Sequence, residues 1–102
     1  MAEEARVEAG GDGHVRLSGP VTFQSVPKLW PRLAECFSAD SITLDLGGVD
    51  RADSASLALM LECLRAARAA GGTLRFVAVP AQMLAIASVA GLDEVLALGD
   101  GE

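Results

Sequence analysis

The sequence has few of the residues from which catalytic sites are built. Its 102 residues include no tyrosine, a single histidine (His14), a single lysine (Lys28) and two cysteines. General acid–base and nucleophilic catalysis depend mainly on such side chains held in pairs. His14 has no second ligand at metal-binding spacing, and Lys28 does not follow a phosphate-binding glycine loop. The sequence therefore predicts a protein that is not an enzyme and that needs no cofactor and no metal.

Positive charge and long apolar runs are also scarce. Eight Lys and Arg residues stand against 14 Asp and Glu residues, which gives a net charge of −6. The basic residues are scattered, whereas nucleic-acid binding needs them clustered. Charged residues or proline interrupt every apolar stretch before it reaches the length of a membrane span. We therefore expect no nucleic-acid binding and no direct membrane insertion.

The two cysteines and the start of the chain indicate a cytoplasmic protein. Cys36 and Cys63 lack the spacing of a CxxC motif and fall in predicted helices, so we interpret both as buried free thiols in a reducing compartment. The first residues lack the charged and then apolar segments of a secretion signal. Residues 1–4 and 99–102 are acidic or glycine-rich, and we expect them to be flexible ends.

The residues that are present favour one compact α/β domain over residues 5–98. Hydrophobic residues make up 51% of the chain and charged residues 22%, which suits a single core. Periodicity and turn residues predict a hairpin followed by alternating helices and strands. The predicted strands are Arg6–Ala9, His14–Ser18, Ser41–Leu46 and Thr73–Val79. Three helices are predicted: the first begins near Ser25, the second covers Ser54–Ala70 and the third covers Pro80–Ala90. Val95–Leu98 is either a final strand or a helical turn.

Three of the predicted strands alternate apolar and polar residues, as in Val15–Arg16–Leu17. A sheet with helices on both faces would have central strands that are apolar throughout. We therefore predict a mixed sheet of four to five strands with the helices mainly on one face. Trp30 and Phe37 are expected to anchor the first helix in the core; the alternative for Trp30 is a half-exposed position next to the partner face.

A polar corner precedes the longest predicted helix. Asp50, Asp53, Ser54 and Ser56 lie between an apolar strand and this helix, where backbone N–H groups and the helix dipole favour negative charge. Asp53 or Ser54 could simply cap the helix, which is worth about 1 kcal/mol. Alternatively, the corner is a partner surface or a phosphoryl acceptor. A further hypothesis is that Asp45, Asp50 and Asp53 together bind a cation. The alternative is that these three side chains are solvated carboxylates of a loop.

The long helix has an unusually small and apolar outer face on a helical wheel. The wheel places one set of residues inward: Leu57, Met60, Leu61, Leu64 and Ala67. It places another set outward: Ala55, Ala58, Leu59, Glu62, Ala66 and Ala69. The alanines either reflect helix propensity alone or form a flat docking face anchored by Leu59. On the second hypothesis, Leu59→Asp should leave the fold intact and abolish partner binding.

The order of elements and the segment Asp53–Ala58 resemble a STAS domain, the fold of bacterial anti-sigma factor antagonists. The segment Asp-Ser-Ala-Ser-Leu-Ala is similar to the family signature Asp-Ser-Ser-Gly-Leu-Gly. In antagonists the phosphorylated residue is the second after the aspartate, which here is Ala55. Membership of that group implies a kinase partner and leaves Ser54 and Ser56 as possible phosphorylation sites.

The corner is also similar to that of MlaB-type STAS subunits of phospholipid ABC transporters, whose loop reads Asp-Thr-Gly-Gly-Leu-Ala-Leu. Ser54 takes the threonine position, and Leu57-Ala58-Leu59 is retained. This resemblance implies a non-catalytic cytoplasmic subunit that lies at the inner membrane through its partner, the ATPase. The residues expected to bind the partner are Asp53, Ser54, Ala55, Leu57, Ala58, Leu59 and Glu62.

Overall fold

The computed structural model describes residues 4–38, 40–92 and 94–96. Within these ranges the elements follow the predicted order of strand, strand, helix, strand, helix, strand and helix. The strands are β1 (Arg6–Ala9), β2 (His14–Val21), β3 (Ser41–Ala52) and β4 (Thr73–Val77). The helices are α1 (Val26–Ala34), α2 (Ala55–Ala69) and α3 (Ala81–Ala90).

Parts of three sequence predictions lie outside the described residues. Val95 and Leu96 belong to a turn, and the remainder of the predicted segment Val95–Leu98 is not described. The same holds for residues 1–3 of the predicted amino-terminal end and for residues 99–102.

The strands form one mixed sheet in the order β1-β2-β3-β4. β1 and β2 are antiparallel, while β3 runs parallel to both β2 and β4. In the β1–β2 turn, Asp12 and Gly13 adopt positive φ angles of 64° and 76°, and the Gly10 N–H donates to the His14 carbonyl at 2.8 Å. The glycine-rich segment therefore reverses the chain as a hairpin, as predicted.

The helices cover one face of the sheet, and the other face is polar. The core joins apolar strand residues to the buried sides of all three helices: Val15, Leu17, Leu44, Leu46, Leu29, Leu33, Met60, Cys63, Met83 and Ala87. On the opposite face the Arg16 guanidinium pairs with the Asp45 carboxylate at 3.2 Å, and the hydroxyls of Ser41 and Thr73 lie 3.0 Å apart. The alternation read from the strands therefore predicted the correct α/β arrangement.

β3 extends beyond the predicted end at Leu46, because the Gly47-Gly48 pair does not break the strand. The pairing of β3 with β2 shifts twice, and each shift adds one residue on β3. As a result, the spacing of the buried residues lengthens from two to three over Leu46, Val49 and Ala52. Asp50 is therefore part of a strand and not of a loop. β2 likewise extends to Val21, whereas β4 ends at Val77, just before Ala78 with its positive φ of 55°.

The close approach of β2 and β3 at Gly48 predicts a large cost for any side chain there. A Cβ on Gly48 would lie 2.6 Å from the Ser18 Cβ. Gly48→Ala should therefore lower the free energy of unfolding by about 1–3 kcal/mol, measured by urea denaturation. Gly11→Ala is the control, because nothing lies within 4 Å of its added Cβ. Equal stability of the two variants would contradict the described register.

Candidate functional site

The Asp53 carboxylate organises the corner between β3 and α2. Its Oδ1 accepts a hydrogen bond from the Ala55 N–H at 2.9 Å, at the start of α2. Its Oδ2 accepts one from the Phe23 N–H at 3.2 Å, in the turn between β2 and α1. One side chain therefore joins the beginning of α2 to a neighbouring turn. Asp53, and not Ser54, satisfies the first helical N–H, so the capping hypothesis applies to the aspartate alone.

The first turn of α2 does not present free N–H groups to an anion. The Ala55 N–H bonds to Asp53 Oδ1, the Ser56 N–H to the Asp53 carbonyl at 2.9 Å, and the Leu57 N–H to the Ser54 carbonyl at 3.1 Å. The backbone N–H groups that were expected to favour negative charge at this corner therefore already have acceptors. Without donors, the helix start offers a phosphate little beyond the dipole itself.

The two candidate serines have opposite environments. Ser54 is exposed, and its side chain makes no capping hydrogen bond to α2. Ser56 is 0% exposed, and its hydroxyl donates to the Asp53 carbonyl at 2.7 Å. Ser56 is therefore inaccessible to a kinase in this structure. Ser54 is the hydroxyl that a partner protein or a kinase can reach.

The prediction that Leu59 and Ala55 face outward is wrong. Leu59 is 3% exposed and Ala55 is 6% exposed, and Leu59 belongs to the core cluster. The helical wheel assumed one buried stripe, but α2 packs against α1 on one side and α3 on another as well as against the sheet. More of its circumference is therefore covered. Leu59→Asp would bury a charge in the core and is expected to unfold the protein.

The exposed face of α2 is rotated toward Ser54 relative to the predicted outer face. Its exposed members are Ala58, Glu62, Arg65, Arg68 and Ala69, which follow the exposed Ser54, while Ala66 is half-buried. Glu62 and Arg65 form an ion pair at 3.1 Å on this face. Of the residues expected to bind a partner, Leu57 is buried like Ala55 and Leu59, Asp53 is half-buried, and Ser54, Ala58 and Glu62 remain accessible.

The turn that Asp53 holds is ordered by side-chain hydrogen bonds and presents an exposed aromatic residue. The Ser25 hydroxyl donates to the Pro20 carbonyl at 2.8 Å and accepts from the Thr22 N–H at 2.9 Å, so it fixes the turn instead of capping α1. Phe23 lies within this turn and is 68% exposed. Sequence periodicity missed Phe23 because it belongs to no strand or helix. Its one signal was an aromatic residue among turn-forming polar residues.

The remaining candidate groups do not form a second site in the described part of the chain. Burial, with a smaller contribution from Glu62 and Cys36, raises the pKa of the Cys63 thiol to about 12, and burial raises the pKa of the half-buried Cys36 as well. A reactive thiol needs a lowered pKa. No group of three or more potential metal ligands converges among the described residues, so Asp45, Asp50 and Asp53 do not form a cation site.

Two further predictions can be compared with the described residues. Trp30 is half-buried beside the core, which matches the half-exposed alternative. None of the described helices combines the length and apolar character that a membrane span requires.

A mixed sheet with helices on one face and an exposed serine before the second helix is the architecture of a STAS domain. A family model described as "Mlab, STAS domain" matches residues 5–98. The chain therefore belongs to the Mlab-type STAS domain family.

Two solved structures share this fold at low sequence identity. The anti-sigma factor antagonist SpoIIAA in its unphosphorylated form has a TM-score of 0.68 at 14% identity, covering 88% of this chain and 83% of that chain. An anti-sigma-factor antagonist (STAS) domain protein from Planctomyces limnophilus has a TM-score of 0.70 at 17% identity, covering 91% and 86%. At these identities the likeness concerns the fold. A comparison with curated proteins gives no match.

The unequal roles of Asp53 and Ser54 predict unequal effects on stability. Asp53→Ala removes the acceptor of two backbone N–H groups and should lower the free energy of unfolding by about 1–2 kcal/mol. Ser54→Ala removes no capping bond and should change it by less than about 0.5 kcal/mol. Urea denaturation of both variants measures the difference. A Ser54→Ala loss as large as that of Asp53→Ala would show that the serine is the true cap.

Proposed function

We propose that this chain is a non-catalytic STAS subunit that binds the ATPase of a phospholipid-transporting ABC system. The observation that carries the proposal is the exposed Ser54 hydroxyl, which makes no capping bond although it stands at the start of a helix. Membership of the Mlab-type STAS family supports this partner over others. STAS domains act through protein–protein contacts, which agrees with a surface role for the corner.

The docking face consists of Ser54, Ala58 and Glu62, three exposed residues that lie one above another along α2. Ala58 is small and lets a partner approach the helix closely, while Ser54 and Glu62 offer hydrogen-bonding oxygens. Asp53 stabilises the start of α2, and with it this face, by accepting a hydrogen bond from the Ala55 N–H. Buried Leu57 and Leu59 fix the helix against the core without touching the partner.

On this proposal the ATPase and the STAS subunit have separate roles. The ATPase carries the nucleotide chemistry, and the STAS subunit supplies a rigid complementary surface that stabilises the productive arrangement of the ATPase. The subunit then acts in the cytoplasm, at the inner membrane, and reaches the membrane through its partner alone.

The second candidate function is that of an anti-sigma factor antagonist regulated by a serine kinase. The accessibility of Ser54 favours it, since a kinase could reach this hydroxyl. Two features count against it. The first N–H groups of α2 already have acceptors, and the Asp53 carboxylate precedes Ser54 directly, so a phosphate would gain few donors and would meet a like charge.

A pair of matched substitutions on α2 tests the docking face. Ala58→Arg places a long charged side chain next to Ser54, whereas Ala69→Arg makes the same change near the other end of the same exposed face. The two sites are about 16 Å apart along the helix. We expect Ala58→Arg to weaken binding to the proposed partner ATPase by at least about 10-fold, with little change for Ala69→Arg. Isothermal titration calorimetry measures both affinities.

Thermal unfolding of both variants is the control for folding. Unchanged ATPase affinity of a folded Ala58→Arg variant would contradict the docking face. Absence of binding by the unsubstituted protein, together with a single stoichiometric phosphoform on Ser54 in protein purified from its native cell, would favour the signalling function instead.

A further inference from the structure

Phe23 is an exposed aromatic side chain on a rigid turn beside the docking face. The turn is fixed by the two hydrogen bonds of the Ser25 hydroxyl and by the Gln24 N–H, which donates to Thr22 Oγ1 at 3.3 Å. The Phe23 N–H is itself held by Asp53 Oδ2 at 3.2 Å, the same carboxylate that begins α2. Phe23 therefore has a defined position relative to Ser54, although its side chain packs on little of its own domain.

Two clefts adjoin this turn, and Thr22 and Gln24 contribute to the lining of both. One cleft, of about 440 Å³, includes Phe23, Arg51 and Gln82. The other, of about 430 Å³, includes Lys28 and Arg32. The turn with its aromatic residue therefore stands between a single arginine on one side and a lysine–arginine pair on the other.

The three cations around the turn have no ion-pair partner among the residues that the structure describes. The ion pairs among the described residues, Arg16–Asp45 and Arg65–Glu62, do not include Lys28, Arg32 or Arg51. The acidic residues that line the two clefts are Asp53 and Glu4, and both oxygens of Asp53 already accept backbone N–H groups. The lining of the two clefts therefore carries three positive and two negative charges, a net charge of +1 on a chain whose total is −6.

We propose that Phe23 is the anchor of the interface and enters an apolar pocket on the ATPase subunit whose rim carries carboxylates that pair with Lys28, Arg32 and Arg51. This inference rests on the proposed function and extends its docking face from α2 to the neighbouring turn. Aromatic and arginine side chains dominate the binding energy of interfaces. A rigid turn also loses little conformational entropy when it binds.

The charge of the chain favours an acidic protein surface over a lipid bilayer as the occupant. Attraction to anionic lipids amounts to about 1 kcal/mol per basic residue near the surface. Three cations on a chain of net charge −6 are too few for stable membrane binding by this term alone. A carboxylate-rimmed pocket instead matches the planar guanidinium of an arginine through paired hydrogen bonds.

Two matched pairs of variants test the anchor and the charges separately. Phe23→Ala should weaken binding to the ATPase by about 30-fold or more, as expected for an interface hot spot. Val89→Ala, which changes an apolar residue that is 91% exposed on α3, should leave the affinity unchanged. Arg51→Ser should weaken binding and reduce its dependence on salt, whereas Arg75→Ser, at an exposed position of β4, should do neither. Calorimetry at low salt and at about 1 M salt, where the Debye length is about 3 Å, measures these effects.

The outcomes distinguish this inference from the proposed function. If Ala58→Arg weakens binding but Phe23→Ala does not, the docking face stands and the anchor is wrong. If the unsubstituted protein does not bind the ATPase, the proposed function itself fails. Phe23-dependent sedimentation with vesicles of phosphatidylglycerol and phosphatidylethanolamine, with ATPase affinity unchanged by Phe23→Ala, would overturn the inference in favour of a membrane contact.

Discussion

The relative position of α2 and the β2–α1 turn depends on one carboxylate, that of Asp53. Asp53 uses its two oxygens for two different elements, accepting the Ala55 N–H of α2 and the Phe23 N–H of the β2–α1 turn. Each bond satisfies a backbone donor that its own element leaves unpaired. Together they fix the helix and the turn at a constant separation. Ser54 and Phe23 are therefore presented as one rigid surface, although they lie about 30 residues apart in the sequence.

The position of Asp53 depends in turn on the irregular pairing of β3. Two extra residues on β3 lengthen the strand relative to β2, so that Ala52 and Asp53 lie beside Val21 and the turn that follows it. The Asp53 N–H donates to the Val21 carbonyl at 3.3 Å, and the Ala52 N–H donates to Gln82 Oε1 at 3.1 Å. Bulges that redirect a strand next to a functional surface are a recurring device in proteins. The glycine at position 48 is what permits this close pairing.

The sequence predicted the architecture well because local signals determined it. Strand alternation, the turn residues between elements and helical periodicity all agreed with the final packing. β3 was predicted too short because buried residues spaced by three, as in Leu46, Val49 and Ala52, do not resemble a strand. That spacing becomes interpretable only when the register against β2 is known.

The residues of the proposed docking surface depend on tertiary contacts that no local pattern contains. The helical wheel predicted that Leu59 faces outward because it assumed a single buried stripe on α2. The flanking helices α1 and α3 bury a second side of α2, which includes Leu59. Ser54 resembled a helix cap, yet Asp53 takes that role through the Ala55 N–H. Phe23 drew no prediction because exposure within a turn leaves no periodic signal. Each of these differences changes which side chains a partner can touch.

Amide hydrogen exchange of the domain with and without the ATPase tests the central claim, that Asp53 fixes the turn and the start of α2 as one surface for a partner. We predict that binding slows exchange both at residues 22–25 and at residues 54–59, while exchange over Thr73–Val77 of β4 is unchanged. Protection confined to β4 or to the polar face of the sheet, with exchange at the turn and at the start of α2 unaltered, would contradict the account.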